Sequence, residues 1–254
     1  MTAGSTPTPG PAQRGVKGIS LAHQVPPPSG DYQWVYLWEW PIRAMHWLAA
    51  GSIVVLALTG FYIGRPYFIT SGEASAHYLM GTVRFIHFVA AGVFVATAIV
   101  RVYWLFAGNQ FERLKALFPV RGRDWVNLWK QVKYYLMIQP EKAPKYLGHN
   151  PLQQLSYTAL YGVAAVQVFT GFAMYGQANP GGFFYTMFGW VANLLGGIQE
   201  VHFVHHVFTW AFLIFLPIHL YLAVRADNME RTGTISSIVL GGRFVPREEH
   251  YVDQ

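Results

Sequence analysis

Four long apolar stretches organise the chain, at about residues 42–63, 85–106, 155–175 and 201–224. Each meets the roughly 20 predominantly apolar residues that a helix needs to cross about 30 Å of hydrocarbon. Each also carries Gly or Pro, which membrane helices tolerate better than soluble ones. Pro217 lies inside the fourth stretch and is expected to bend it locally. The pattern predicts an all-α membrane protein, a bundle of four transmembrane helices.

Two shorter stretches read as interfacial. Asp124 to Ile138 mixes Trp, Leu, Val and Tyr with Lys at helical spacing, which suits an amphipathic helix on the cytoplasmic surface. Phe183 to Leu195 is aromatic and uncharged, and suits the outer interface. A loop helix packed on the bundle is the alternative for both. Residues 1–30, rich in Thr, Pro, Gly and Ser with Pro26, Pro27 and Pro28 in a row, read as a disordered tail. Residues 31–225 then form the membrane domain, and residues 226–254 a cytoplasmic tail.

Composition narrows the function classes. Charged residues are 12% of the chain, against about 25% in a typical soluble domain. That is too little charge to coat a soluble surface, and 53% apolar content is too much for a disordered chain. The +6 net charge resolves into topology. Arg14 and Lys17 precede the first span, and the connection from the second to the third holds eight basic residues between Arg113 and Lys145. Arg225, Arg231, Arg243 and Arg247 follow the fourth span, whereas the other two connections hold only Arg65. The positive-inside rule places both termini and the long middle loop in the cytoplasm. Basic residues sited beside spans in this way give no support to nucleic-acid binding.

The chain has ten His and no Cys. Zero Cys excludes disulfides, thiolate-held iron–sulfur clusters and thioether-linked haem. His23, His77, His149 and His250 lie in tails or loops and carry little functional weight. Six remain at membrane depth, where ionisable side chains are costly and usually functional: His46, His87, His202, His205, His206 and His219.

Helical geometry pairs four of them. His205 and His219 are separated by about 21 Å along the axis and about 40° around it, so one helix face carries a histidine near each membrane surface. His87 shares the outer half with His205, and His46 shares the cytoplasmic half with His219. Two stacked His–iron–His sites follow, which suit low-spin, electron-carrying haem b with no open axial position. The first two spans also open on the same phrase, R-x-x-H-aromatic-x-A-A, at Arg43–Ala50 and Arg84–Ala91. Arg43 and Arg84 are candidate partners for haem propionates, and the small residues leave room for a flat macrocycle. The competing reading is that intramembrane histidines serve as interhelical hydrogen-bond glue. A His-lined metal permease would call for carboxylates beside the histidines, and the middles of the spans hold none.

At these residues the chain resembles the b-type cytochrome subunit of membrane-bound nickel–iron hydrogenases. Arg43 to Leu48 with Leu56 to Gly60 is similar to that family's first signature. His202 to Val207 with Trp210, Phe215 and His219 is similar to its second. Gly51 and Phe203 depart from the usual residues there. The segments 148–152, 171–176 and 188–190 are also similar, and the likeness covers about residues 31–245.

The resemblance implies four helices, two haems b, and axial ligands at His46, His87, His205 and His219. It also implies a location in the bacterial inner membrane. The implied partners are the iron–sulfur small subunit of a hydrogenase on the outer face, the large subunit beyond it, and quinone as electron acceptor. Hydrogen activation falls to those partners, and whether quinone is reduced on this chain stays open. Glu39 and Arg101 are candidate neighbours of a quinone near the cytoplasmic haem; the alternative, which the residues favour, is that Arg43 and Arg101 bind propionates or lipid phosphates. The alternatives are the cytochrome b of another quinone-linked dehydrogenase, such as formate dehydrogenase, and a haem-free anchor or metal permease. The paired His205–His206 and Trp210 favour the hydrogenase type. Exposed aromatics around the rim suit lipid or a second copy of the chain.

Overall fold

The computed structural model describes residues 31–68, 72–73, 77–119, 122–136, 144–248 and 250–253. The tail reading of residues 1–30, with His23, lies outside the described residues. The four expected long helices are α1 (Trp40–Gly64), α2 (Leu79–Ala107), α5 (Pro151–Gly176) and α7 (Ile198–Glu230). All four are long and apolar enough to cross a membrane. None has a strongly one-sided apolar face, as expected of helices surrounded by lipid and one another.

Local chemistry sets their starts. Pro41 opens α1 at a position where its missing N–H costs nothing. Asn150 and Gln153 form a reciprocal capping box at α5, the Asn150 side chain accepting from Gln153 N (3.0 Å) and the Gln153 side chain from Asn150 N (2.9 Å). The 33 residues of α7 extend about 50 Å at 1.5 Å per residue. That overshoots the hydrocarbon, and its C-terminal end is gripped by α4 (Gly122–Tyr135). There the Arg225 guanidinium lies 4.8 Å from the Tyr134 ring and 5.5 Å from the Tyr135 ring.

Both interfacial stretches are helices. The strongly amphipathic α4 packs on α5 and turns Trp125, Val126 and Trp129 outward. At the other end, α6 (Phe183–Leu195) closes a small core with α5 and α7 around Ala173, Val191 and Val201. Gly176 faces the Tyr185 backbone so closely that an added Cβ would lie 2.7 Å from its nitrogen, so only glycine lets α6 fold back there.

Among the described residues two elements are strands. Strand β1 (Tyr32–Tyr36) pairs antiparallel with β2 (Gly242–Pro246), Trp34 opposite Phe244 and Tyr36 opposite Gly242. Their aromatic and β-branched residues suit a pleated edge. With α3 (Leu114–Leu117) and α8 (Thr234–Leu240), this sheet belongs to a cap at the end of the bundle where α1 begins and α7 ends. Its core is Leu37, Phe111, Leu147 and Val245.

The bundle itself is split. Helix α1 packs along α2, and α5 packs along α7, whereas the two pairs meet more lightly, through α1 against α7 and through contacts such as Phe88 with Tyr175 and Arg101 with Tyr161 between α2 and α5. None of the most apolar stretch of α7 is buried by protein. The loosely packed seam between the pairs is the cleft of the bundle.

Candidate functional site

The cleft is where the four intramembrane histidines lie. Toward the end where α1 begins and α7 ends, His46 of α1 faces His219 of α7, with ring centroids 6.3 Å apart and planes inclined by 51°. Metal–imidazole bonds of about 2.0–2.1 Å, with about 1 Å from nitrogen to ring centre, put two imidazoles sharing one metal about 6 Å apart. The observed separation fits that requirement. Phe215, one turn before His219, stacks on it at 5.2 Å. His46 Nδ1 is buried with no partner among the described residues.

Toward the opposite end lie His87 of α2 and His205 of α7. Each is seated by the neighbouring helix of its own pair. Thr59 Oγ1 on α1 lies 2.8 Å from His87 Nδ1, and Thr170 Oγ1 on α5 lies 2.8 Å from His205 Nδ1. The next residue is glycine in both cases. A Cβ added at Gly60 would stand 3.4 Å from His87 Cε1, and one at Gly171 the same distance from His205 Cε1.

Haem is the group that sequence reading assigns to this cleft, and the residues present fit it. His46 and His219 are spaced for one shared metal. The glycines bring two imidazoles close against their helices without a clash. Gly51 and Gly92, each five residues after a histidine of the repeated phrase, face open space. Among the described residues there is no cluster of three or more His, Cys, Asp or Glu that could hold a bare metal ion.

The remaining candidates are placed as follows. Arg43 donates from Nη1 to the carbonyl of Val239 in α8. Arg84 is exposed, one turn before His87. Arg101 donates from Nε to Tyr161 Oη at 3.0 Å, and from both Nη atoms to the Glu112 carbonyl at 3.2 and 3.1 Å. Its guanidinium thus ties α2 to α5 and to the loop after α2. Glu39 N donates to Glu112 Oε1 at 2.6 Å. Glu112, 1% exposed, also accepts from Trp104 Nε1 at 2.9 Å. Burial pushes its carboxyl up from the ordinary range against the pull of these donors.

His202 is exposed and donates from Nδ1 to the Ile198 carbonyl at 2.8 Å. His206 packs edge-on against Phe61 and, with Phe61, Gly64, Arg65 and Tyr67, lines an outer cavity of about 310 Å³.

Sequence reading gave His149 little weight. Its ring is enclosed, stacked on Trp38 at 4.8 Å and edge-on to Tyr157 at 4.8 Å. Burial first, and the Arg101 charge second, pull its pKa down to about 3 from 6.5. The unfolded chain therefore binds this proton first. The stability that comes from burying the neutral ring is complete above about pH 6.5 and is lost as pH falls toward 3. Lowering the pH from 7 to about 4.5 is expected to cost roughly 1.4 kcal/mol per unit below 6.5. His149→Phe keeps the stacking and removes that slope, which thermal midpoints of the two proteins at matched pH would show.

Comparison with known proteins points one way. Residues 37–241 match the family described as prokaryotic cytochrome b561. The chain is 44% identical over 214 residues to a probable Ni/Fe-hydrogenase B-type cytochrome subunit of Azotobacter chroococcum, covering 83% of this chain and 88% of that one. A protein of the same description from Rhizobium leguminosarum is 42% identical over 86% of this chain and 93% of its own. The probable Ni/Fe-hydrogenase 1 B-type cytochrome subunit of Escherichia coli K12 is 33% identical over 82% and 90%.

Proposed function

This chain belongs to the prokaryotic cytochrome b561 family, and on that footing we propose that it is the membrane-embedded b-type cytochrome of a nickel–iron hydrogenase. In this reading it holds two haems b, one between His87 and His205 and one between His46 and His219. It takes electrons from the iron–sulfur small subunit on the outer face and delivers them to quinone. When bound, haem b would supply reversible one-electron exchange.

The chain's own residues do the rest. Helices α1 and α2 supply one histidine each and α7 supplies two, so no single helix pair completes a site. The apolar walls of the cleft exclude water from both centres. Arg43 and Arg84, one turn before His46 and His87, would hold carboxylates at the cytoplasmic and outer rims, Arg43 by exchanging its bond to the Val239 carbonyl. The Lys and Arg distribution supports an inner-membrane protein with both termini inside. Glu39, at the start of α1, is the candidate polar neighbour of a cytoplasmic-side quinone. Arg101 serves that role only by exchanging its bonds to Tyr161 and Glu112. Reduction there would draw protons from the cytoplasm while hydrogen oxidation releases them outside, separating charge across the membrane.

The observation that carries this reading is the two-by-two placement of His46, His87, His205 and His219 along one cleft. The test uses the chain purified with its hydrogenase partners. Under hydrogen its b-type absorption should become reduced, and added quinone should reoxidise it. Bands that stay oxidised under hydrogen, or that hydrogen reduces without the hydrogenase subunits, would refute the proposed route.

A further inference from the structure

The two halves of the cleft are built differently, and the difference lies in two hydroxyl groups. Thr59 Oγ1 is 2.6 Å from the carbonyl of Val55, one turn back on its own helix, and 3.3 Å from that of Leu56. Thr170 Oγ1 is 2.6 Å from the Val166 carbonyl and 3.2 Å from that of Gln167. A hydroxyl has one proton to donate. Spent on the helix carbonyl, it leaves the Thr oxygen able only to accept from the imidazole 2.8 Å away. Both outer imidazoles therefore carry their proton on Nδ1 and keep the Nε2 lone pair for the cleft.

The glycine after each threonine completes the seat. It lets the ring edge lie against the helix, at the same 3.4 Å clearance in both cases. The same Thr–Gly seat thus occurs twice, on α1 for a histidine of α2 and on α5 for a histidine of α7. The second seat is fixed further. Thr209 donates to the His205 carbonyl at 3.0 Å and accepts from Gln167 Nε2 at 2.9 Å. The cytoplasmic pair has no such seat among the described residues. His46 Nδ1 is buried without a partner, and His219 has a phenyl ring, Phe215, against its face.

We infer that Thr59 and Thr170 are positioning residues that set the outer centre apart from the inner one. Each fixes one imidazole in a single tautomer and a single rotation and makes it a more basic ligand than the histidines of the inner pair. Hydrogen bonding of the far ring nitrogen raises the electron density a histidine offers its metal. A more basic ligand favours the oxidised, more positive iron. The outer centre is then the lower-potential one, and electrons entering from the outer face run downhill to the inner one. The inference rests on the proposed ligation by His87 and His205, and its test separates the two.

The test is potentiometric titration of the b bands in the haem-loaded, purified chain. The outer wave is identified as the one missing in His87→Ala. Thr59→Val and Thr170→Val keep the side-chain shape and remove the acceptor. Each should move the outer wave to higher potential, the double variant should move it further, and the inner wave should stay put. The ferric electron-spin-resonance signal of the outer centre should broaden as its rings lose their fixed orientation. Thr59→Ser and Thr170→Ser, which restore an acceptor, should restore the wild-type wave. Thr97→Val is the control. Thr97 is a buried threonine that donates to its own helix at Phe94 O (2.7 Å), and neither wave should move when it is replaced.

Loss of the outer wave alone in a valine variant, with rescue by serine, also supports the inference. It is overturned if the valine variants keep both waves unmoved, or if Thr97→Val produces the same shift. If His87→Ala itself keeps both haems, the ligand assignment fails instead.

Discussion

Replacing His205 with alanine is expected to halve the haem content, from two per chain to one, and His87→Ala is expected to remove the same haem. The two side chains come from different helix pairs, so removing either leaves the other with its Thr–Gly seat intact and nothing across the cleft. One remaining imidazole holds a haem without a covalent link far less firmly than two. His46→Ala and His219→Ala should remove the other haem and leave the outer one spectroscopically intact, because the two sites share no ligand. Haem-to-protein ratios and low-temperature spectra of the four variants check this. Loss of different haems in His87→Ala and His205→Ala would refute the pairing, whatever the total.

The largest effect on stability is expected at Arg243, in β2. Its side chain is buried and collects bonds from three segments. Nη2 donates to the carbonyls of Tyr146 at 2.7 Å and Leu147 at 2.8 Å. Nη1 donates to Glu230 Oε2 at 3.1 Å, with Thr234 and Thr232 Oγ1 at 3.3 and 3.4 Å. It therefore ties the C-terminal strand to the loop before α5 and to the end of α7. Arg243→Leu strips the guanidinium from two enclosed carbonyls, and hydrogen bonds to a charged group are worth more than neutral ones. A loss of about 2–4 kcal/mol follows. Glu230 is half-exposed and can return to water, which keeps the loss below that of a stranded buried charge. The thermal midpoint should fall and the β1–β2 pair should become open to proteases, while the haem content stays unchanged.

The sequence disclosed the bundle because the bilayer leaves few choices. A span needs a long apolar run, and the four runs are separated by loops whose basic residues fall on one side. Helical rise converts sequence separation into depth, and by that rule His46 and His219 fall at one level of the bundle, where their rings lie 6.3 Å apart. The sheet stayed hidden because Tyr32–Tyr36 meets its partner about 200 residues later, with no hairpin to signal it. The Thr–Gly seats stayed hidden for a different reason. A threonine bonded to its own helix carbonyl gives no sequence sign of what else its oxygen touches. The α1–α2 and α5–α7 contacts alone place Thr59 at His87 and Thr170 at His205. His149 looked like an ordinary loop residue because the groups that enclose it, Trp38 and Tyr157, come from other parts of the chain. Arg101 read as a spare polar group at the membrane edge, yet the Glu112 carbonyl and the Tyr161 hydroxyl already take its guanidinium.

The most direct test of two bis-histidine centres is haem quantitation of the purified chain, followed by carbon monoxide added to the reduced protein. The account predicts two haems b per chain, low-spin in both oxidation states, and a spectrum that carbon monoxide does not change, because both axial positions are filled. One haem or none per chain, or a carbon monoxide complex formed by the native protein, would contradict it.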